Sequence, residues 1–478
     1  MGVLRHASSV VGFAAHWAWV WCLFWSSLFY SEGPLIAGLG GGLFSLEPLW
    51  TLSLLANACG LVVFLLVSYF KNPLGDKVAA YWLCAAIKVA GTLMVSHPFI
   101  TMMGTASTVT YPIGAVITGF GSAGLFAFWG EYFASLGSRQ TILRAVPAMV
   151  LGSMVYLLIA FVPTDAAQIF AASLPLISIC CLIRAKRSDP RRTVSFVTSV
   201  KVRLKERPPV RLIAISLFFG FFYGIMKGLF ALEETAVIEM RDLVFIAAVC
   251  LGSIALYVTT VVFRMDFDRL TYQIALPLMA ACFIFLPWES PFALVGAGFH
   301  QLGYQYFYII LWAIWPVLAR RGDVPEGWVV CWGLSSIQFG QFFGSALSAG
   351  MIAVLEPLQM GTFCSLAIFT ILLIALFSFG DTSAKTGWGF LKPLEEGDAV
   401  SAFRRACMQV AAANRLSPRE TEVLVLLSRG HDRSYIGKKL VISDETAKSH
   451  FKSIYRKIGV HSQQEIIRAV EEQIRILR

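Results

Sequence analysis

The sequence has little charge for its length, which excludes an ordinary water-soluble protein. Charged residues make up 14% of the 478 positions, whereas soluble domains carry about 25%. Hydrophobic residues make up 57%, and the mean hydropathy is +0.69. Most of the chain is therefore expected to lie in lipid rather than in water.

The sequence also lacks recognisable catalytic and metal-binding patterns. No pair of its ten cysteines has the spacing of zinc ligands, and only Cys180 and Cys181 are close together. We interpret the cysteines as small apolar side chains in a reducing cell. There is no nucleophile–base pair and no glycine loop that would cradle a phosphate. We therefore expect no enzymatic activity, no metal and no cofactor.

Long apolar runs predict an all-α membrane domain with twelve spans, six in each half. The first run, Val10 to Phe29, lacks a convincing small-residue cleavage site, so we interpret it as a span rather than a secretory signal. The domain covers residues 1–380, and a cytosolic linker at 184–210 joins its halves, 9–183 and 211–379. The predicted spans are residues 9–30, 47–70, 78–96, 109–134, 143–162, 166–183, 211–231, 242–263, 270–287, 291–319, 327–354 and 360–379.

Lysine and arginine are divided unevenly between the two sides of these spans. One set of alternating loops, with the linker, holds eighteen of them, whereas the opposite loops hold only Arg241, among several acidic residues. Basic loops face the cytosol, so both termini are expected in the cytoplasm of a bacterial cell, with the spans in its inner (cell) membrane.

Several ionisable or hydrogen-bonding side chains lie inside the predicted spans. A charge in hydrocarbon costs at least about 2.5–3.5 kcal/mol on insertion scales, so such residues are candidates for ligand binding. Helical spacing places Gln301, Tyr304, Gln305 and Tyr308 on one face of span ten. Lysine and tyrosine side chains would suit an anionic or phenolic small molecule. The candidate ligand-binding residues are His16, Lys88, Glu131, Tyr223, Lys227, His300, Gln301, Tyr304 and Gln305.

These residues also have a purely structural interpretation. Lys88 could pair with a carbonyl or carboxylate group for packing alone, and Glu131 could reach interfacial water. The glycine pairs Gly220/Gly224 and Gly340/Gly344 are predicted to allow close helix packing rather than to bind a ligand.

The last 65 residues have the pattern of a separate small helical domain, residues 414–478. Ser417-Pro418-Arg419-Glu420 is a capping box with proline at the first helical position, and Gly430 ends that helix. Second and third helices are predicted at about 434–440 and 444–458, and a fourth follows them.

The third helix has one apolar and one basic face. Its apolar side chains recur at helical spacing, and the whole domain holds 13 basic and 8 acidic residues. This balance suits double-stranded DNA, with the third helix in the major groove. The alternative is a basic helical tail with a solvated face. The basic and polar face of the helix carries Lys448, Ser449, Lys452 and Arg456.

This domain resembles the LuxR/FixJ (NarL-type) helix-turn-helix family. The residues that match the family pattern are Leu416, Pro418, Arg419, Glu420, Glu422, Val423, Leu424, Gly430, Ile436, Leu440, Ile442, Ser443, Thr446, Lys448, His450, Ile454, Lys457 and Val460. Gly437 and Ala447 depart from it, because the family usually has alanine and valine there. The resemblance implies DNA binding, usually as a homodimer.

The same resemblance assigns roles to individual side chains. It implies that Lys448, Ser449 and Lys452 reach bases or nearby phosphates, and that Thr446 and His450 steady the backbone contacts. Two further lysines either contact phosphates or are merely solvated. These are Lys438 and Lys439.

The membrane domain resembles the major facilitator superfamily, since two six-span halves are joined by a long cytosolic linker. Gly75-Asp76-Lys77 and Phe267-Asp268-Arg269 stand where that family carries a Gly…Asp-Arg…Gly-Arg signature, but both lack its trailing Gly-Arg-Arg. The resemblance implies a central cavity lined by spans one, four, seven and ten. His16, Glu131, Lys227 and the polar face of span ten would converge there.

Residues 381–413 connect the two domains and include an amphipathic stretch. Val400, Phe403, Cys407 and Val410 recur there at helical spacing. This stretch could dimerise, couple the two domains, lie on the bilayer or pack against its own DNA-binding domain.

Together these features predict a membrane-integrated one-component transcription regulator that senses a small molecule. The combination looks like membrane regulators of Eggerthella-type gut Actinobacteria. One alternative is a transporter with a regulatory DNA-binding tail, and another is a membrane domain that serves only as an anchor. The basic linker could contact anionic membrane lipid, DNA or nothing.

Overall fold

The membrane domain is a bundle of long helices that follow the predicted spans closely. The computed structural model describes residues 2–29, 47–70, 74, 78–187, 208–230, 235–267, 269–285, 292–322, 324–354, 357–378, 403, 406–440 and 442–476. The long helices of the first half are α1 (Gly2–Phe24), α2 (Pro48–Phe70), α3 (Val78–Met94), α4 (Ser107–Leu136), α5 (Ser138–Ala160) and α6 (Thr164–Arg187), and a short helix, His97–Met103, lies between α3 and α4.

The second half repeats this arrangement. Its helices are α7 (Val210–Phe230), α8 (Thr235–Val261), α9 (Leu276–Phe285, preceded by a π-helical segment Arg269–Ala275), α10 (Phe292–Gly322), α11 (Glu326–Val354) and α12 (Pro357–Ser378). Within the described ranges the chain is all-helical, which confirms the predicted fold class.

Apolar length alone supports membrane insertion for most of these helices. Eight helical segments of the described residues are long and apolar enough to cross a bilayer, and three further apolar segments are shorter. The count of twelve spans therefore stays a prediction. The loop residues 75–77 and Asp268, and positions 188–207 of the basic linker, lie outside the described residues.

Aromatic side chains join the two halves at the centre of the bundle. Phe13 of α1 packs against Phe133 of α4 and Trp312 of α10, with ring centroids 4.7 and 4.8 Å away. All three residues are buried in one continuous apolar core. Edge and tilted ring contacts of this kind add to the burial of large apolar surfaces.

Helices α7 and α11 pack with their backbones in contact, as the glycine pairs predict. A Cβ atom at Gly224 would overlap the carbonyl oxygen of Gln341, and one at Gly344 would overlap that of Phe221. Side chains at these positions would push the helices apart, because a carbonyl oxygen in a helix cannot move aside cheaply.

The C-terminal region holds four helices with a core of their own. These are α13 (Pro418–Ser428), α14 (Arg433–Leu440), α15 (Asp444–Ile458) and α16 (Gln463–Ile476). Ser417 forms the predicted capping box with Glu420, and Ser443 caps α15. The bounds differ from the predicted ones by no more than one residue at α14 and α15.

Replacement of Gly344 by alanine tests the close contact of α7 and α11. We expect Gly344→Ala to destabilise the membrane domain by about 1–3 kcal/mol, the usual cost of overpacking. Gly350→Ala, on the same helix but with no heavy atom within 4 Å of the new Cβ, is the matched control. Equal thermal unfolding temperatures for both variants in detergent would contradict the contact.

Candidate functional sites

A cavity lies between the two halves of the membrane domain. The space open to the centres of water molecules is about 70 Å³, several times the 10–15 Å³ that one water needs. Helices α1, α2 and α4 form one wall, and α7, α10 and α11 form the other. The lining residues are Trp17, Val20, Trp21, Phe24, Trp25, Trp50, Ser53, Leu54, Asn57, Gly119, Ser122, Phe126, Tyr223, Gln301, Tyr304, Gln305, Tyr308, Gln338 and Gln341.

The described part of the cavity wall is aromatic and polar. Nine of the described lining residues are aromatic, five carry side-chain amides, and none of them carries a charge. Apolar surface with a few placed hydrogen-bonding groups is the usual lining of a small-molecule site.

Four of the nine sequence-predicted ligand residues come together on this wall. The Tyr223 hydroxyl donates to Oε1 of Gln301 at 3.1 Å, and its ring stacks on Tyr304 with centroids 3.8 Å apart. The Tyr304 hydroxyl accepts a bond from Nε2 of Gln341 at 2.7 Å. Gln305 lies on the same wall and donates to Ser253. The polar face predicted for span ten is thus turned towards the cavity.

Lys227 lies beside the cavity without lining it. Its ammonium pairs with Glu47 at 2.7 Å and donates to the Phe24 carbonyl oxygen at 2.8 Å. The same nitrogen lies 4.2 Å from the centroid of a Trp25 ring. Since Lys227 belongs to the second half and its partners to the first, this ion pair joins the two halves at one end of the cavity.

His16 and Lys88 do not line the cavity, although the His16 ring packs against the lining residue Phe126 with centroids 4.5 Å apart. The Lys88 ammonium is 3.3 Å from Nδ1 of His16 and 3.5 Å from the centroid of a Trp19 ring. Because successive residues of a helix are turned by about 100°, Trp17 of α1 reaches the cavity while the adjacent His16 does not.

Glu131 and His300 also contact protein groups rather than the cavity. Glu131 accepts a bond from the backbone N–H of Leu74 at 2.7 Å and pairs with Lys186 at 3.4 Å. His300 places Nδ1 3.2 Å from the Met279 carbonyl oxygen. The convergence expected for His16, Glu131 and Lys227 is therefore not seen, because each side chain is turned towards a partner in a neighbouring helix or loop.

Sequence reasoning missed the tryptophans of α1 and the amides of α2 and α11. Trp17 and Trp21 are four residues apart and so share a helix face, which is a readable signal. Gln338 and Gln341 are three apart, and Asn57 is a lone amide in an apolar span. For Asn57, Gln338 and Gln341 the readable signal is a polar amide inside an apolar helix.

Helix α15 presents the predicted basic face. Ala447 and Ile454 are buried against the core, whereas Lys448, Ser449 and Lys452 are exposed. Thr446 and Arg456 are also exposed, and His450 is half-buried. The side chains of Lys438 and Lys439 lie outside the described part of the chain.

A buried carboxylate fixes α15 against α13. Glu420 accepts hydrogen bonds from Lys457 at 2.7 Å and from Ser453 at 2.6 Å, in addition to its bond with Ser417. Burial alone would raise its pKa, but the bonds from Lys457, Ser453 and Ser417 together lower the pKa of Glu420 to about 2. This network sets the angle at which the basic face is presented.

The amphipathic stretch packs on the C-terminal helices. Residues 406–413 are helical, and Ala406, Cys407 and Val410 are buried in the same core as α13 and α16. The Arg429 guanidinium lies 5.5 Å from the centroid of a Phe403 ring. Of the four alternatives for this stretch, the structure supports packing on its own domain; positions 398–402 lie outside the described residues.

Comparisons with known proteins identify both parts of the chain. Residues 414–470 match the family of bacterial regulatory proteins, luxR family. The fold resembles the human organic anion transporter MFSD10 (TETRAN), with a TM-score of 0.58 and 12% identity over 78% of this chain and 99% of that one. It also resembles the major facilitator superfamily proton:xylose symporter XylE, with a TM-score of 0.54 and 12% identity over 83% and 98% of the two chains. A search of curated proteins finds no match.

The chain therefore joins two known kinds of domain. Residues 414–470 form a LuxR-family DNA-binding domain, whose presence implies transcription regulation. The helices before it have a major-facilitator-like fold, and eight helical segments of the described residues are long and apolar enough to cross a membrane. Below, residues 403–476 of the structure are called the reader.

The basic face of α15 makes a prediction about DNA binding. Lys448→Ala and Lys452→Ala should each weaken binding to random-sequence duplex DNA and lower the salt-dependence slope by about 1, the loss of one phosphate contact. Fluorescence anisotropy of the full chain in lipid nanodiscs, at several salt concentrations, measures both effects. Arg468→Ala, an exposed arginine on α16, is the control. An unchanged slope in both lysine variants would place the DNA elsewhere.

The Glu420 network makes a prediction about stability and pH. Because its pKa falls from 4.5 to about 2, the carboxylate stabilises the folded reader fully above about pH 4.5, and this contribution is lost as the pH falls towards 2. Glu420→Gln should cost about 1.5–3 kcal/mol at pH 7 and progressively less in that acid range. Amide hydrogen exchange of α13 and α15 measures this loss of stability, and Glu445→Gln, at an exposed carboxylate, is the control. A pH-independent difference would contradict the assignment.

Proposed function

We propose that this chain is a one-component transcription regulator of the bacterial inner membrane. A small molecule binds in the central cavity of the membrane domain, and the reader binds promoter DNA. The observation that carries the proposal is the presence, in one chain, of a LuxR-family reader and a membrane domain with a cavity between its halves whose described lining is aromatic and polar. Proposed boundaries are 1–380 for the sensor, 381–413 for the linker and 414–478 for the LuxR-type domain.

The proposed topology places both termini in the cytoplasm, where DNA is available. It is supported by the uneven distribution of lysine and arginine between the loops. The reader acts as a homodimer on DNA, as such domains often do, and the basic linker lies near anionic lipid.

Signal transfer requires two states of the membrane domain with different affinity for the ligand. The Lys227–Glu47 ion pair supports this mechanism, because it joins the halves beside the cavity. A relative movement of the halves would break the pair, and binding in the adjacent cavity would favour one arrangement over the other.

A second candidate function is a transporter with a regulatory tail. It is favoured by the fold, since both proteins compared above are transporters by name. The two candidates differ in one measurable property, which is net movement of a substrate across a sealed membrane.

Transcript profiling tests the proposal directly. Cells carrying the wild-type chain, no chain, or Lys448→Ala/Lys452→Ala are compared across all genes. We expect the double variant to give the same transcript profile as cells without the chain, because the membrane domain alone cannot bind a promoter. If the double variant behaves like wild type while substrate uptake requires the membrane domain, the chain is a transporter and not a regulator.

The Lys227–Glu47 pair makes a further prediction. Glu47→Gln leaves a buried ammonium without its carboxylate, and breaking such a pair costs about 3–5 kcal/mol. Promoter output without added inducer should therefore move several-fold from the wild-type value, while the DNA affinity of the reader stays unchanged. Asp165→Asn removes the carboxylate of an exposed pair with His97 and is the control. Wild-type output from Glu47→Gln would show that the pair is not part of the switch.

A further inference from the structure

We infer that the molecule bound in the cavity is uncharged, contains a flat ring, and offers both a hydrogen-bond acceptor and a donor. The inference rests on the proposed function and names the chemical class of its ligand. It follows from three properties of the described lining residues, which are their unpartnered polar atoms, the absence of charge among them and their aromatic surface.

Buried polar atoms without partners occur on this wall, as they do elsewhere in the bundle. Trp17 Nε1, Asn57 Oδ1 and Ser122 Oγ are buried and lack a hydrogen-bond partner among the described residues. Buried polar groups almost always have a partner, so a ligand in the cavity is placed to complete these three atoms.

The chemistry of two of these atoms fixes what the ligand supplies. An indole N–H such as Trp17 Nε1 can only donate, and an amide oxygen such as Asn57 Oδ1 can only accept. The ligand therefore carries at least one acceptor and one donor. The Ser122 hydroxyl can adopt either role.

The charge of the ligand follows from the surroundings. None of the described lining residues is ionisable at neutral pH to give a counter-charge, and the nearby Lys227 is already paired with Glu47. An ionised group loses its hydration on entry and finds no opposite charge, which is costly. The cavity therefore favours an uncharged ligand over the anionic one that the sequence predicted from Lys227.

The shape of the ligand follows from the ring contacts. Trp17 and Tyr308 meet edge to face at 5.1 Å between centroids, and Trp17 lies 5.7 Å from Trp21. Trp17 and Trp21 come from the first half of the domain and Tyr308 from the second, and all three rings line the cavity. A planar ring fits the faces of such rings with favourable stacking, whereas a puckered ring does not.

Binding of matched compounds to the full chain in lipid nanodiscs tests the inference. The panel consists of ring compounds in sets of four, such as 4-hydroxybenzamide (neutral), 4-hydroxybenzoate (anion), tyramine (cation) and 4-hydroxycyclohexanecarboxamide (neutral, puckered ring). Quenching of tryptophan fluorescence and calorimetry give the affinities. We expect the neutral aromatic members to bind at least tenfold tighter than the other three. Equal or tighter binding of charged or puckered members, or no binding by any neutral aromatic member, overturns the inference.

Variants with matched controls locate the binding groups. Trp17→Phe and Ser122→Ala each remove one unpartnered group from the wall, so each should weaken the best neutral aromatic compound about 3- to 10-fold, as for one lost hydrogen bond. Trp328→Phe and Ser216→Ala remove buried unpartnered groups that do not line the cavity and should leave binding unchanged. Equal effects in both pairs would mean that the wall atoms do not contact the ligand.

These measurements use neither DNA nor transcription, so they separate the inference from the proposed function. A neutral aromatic compound that binds but changes no transcript overturns sensing and leaves the ligand class intact. A promoter response to an anionic compound that is lost in Trp17→Phe overturns the ligand class and leaves sensing intact.

Discussion

Every charge that the helices carry into hydrocarbon must be compensated by a partner inside the protein, because lipid offers none. This constraint decides which polar side chains of the membrane domain remain free for a ligand. Lys227 is held by Glu47, Glu131 by Lys186, and Lys88 by His16 and a tryptophan ring. The groups left to line the cavity are neutral amides, hydroxyls and indoles.

The close contact of α7 and α11 serves the same site. With glycine at the crossing points, the two backbones touch, and Tyr223 of α7 and Gln341 of α11 are brought onto the wall where Tyr304 contacts both. The polar side chains of α7 and α11 thus form one continuous part of the cavity wall. A bulkier residue at a crossing point would separate the stacked rings of Tyr223 and Tyr304 from the Gln341 amide.

Helix positions could be predicted from the sequence, whereas cavity residues could be predicted only in part. Apolar length and capping residues are local properties, and they placed α14 and α15 within one residue of the structure. Which side chain faces the cavity depends on the rotation of each helix and on partners far away in the chain. Lys227 and Glu47 are an example, because they are far apart in the sequence and no pattern near Lys227 indicates that it pairs with Glu47. The polar face of α10 was predictable because its four residues define one direction by themselves.

The packing of residues 406–413 into the reader shortens the tether between reader and membrane. Only the chain from Ser378 to Phe403 remains to span the gap, and at full extension it reaches on the order of 85 Å. With the proposed topology, the reader stays within that distance of the cytoplasmic face of the membrane. A promoter under its proposed control would then be bound only at the cell periphery, so the position of a gene within the nucleoid would become a variable in its regulation.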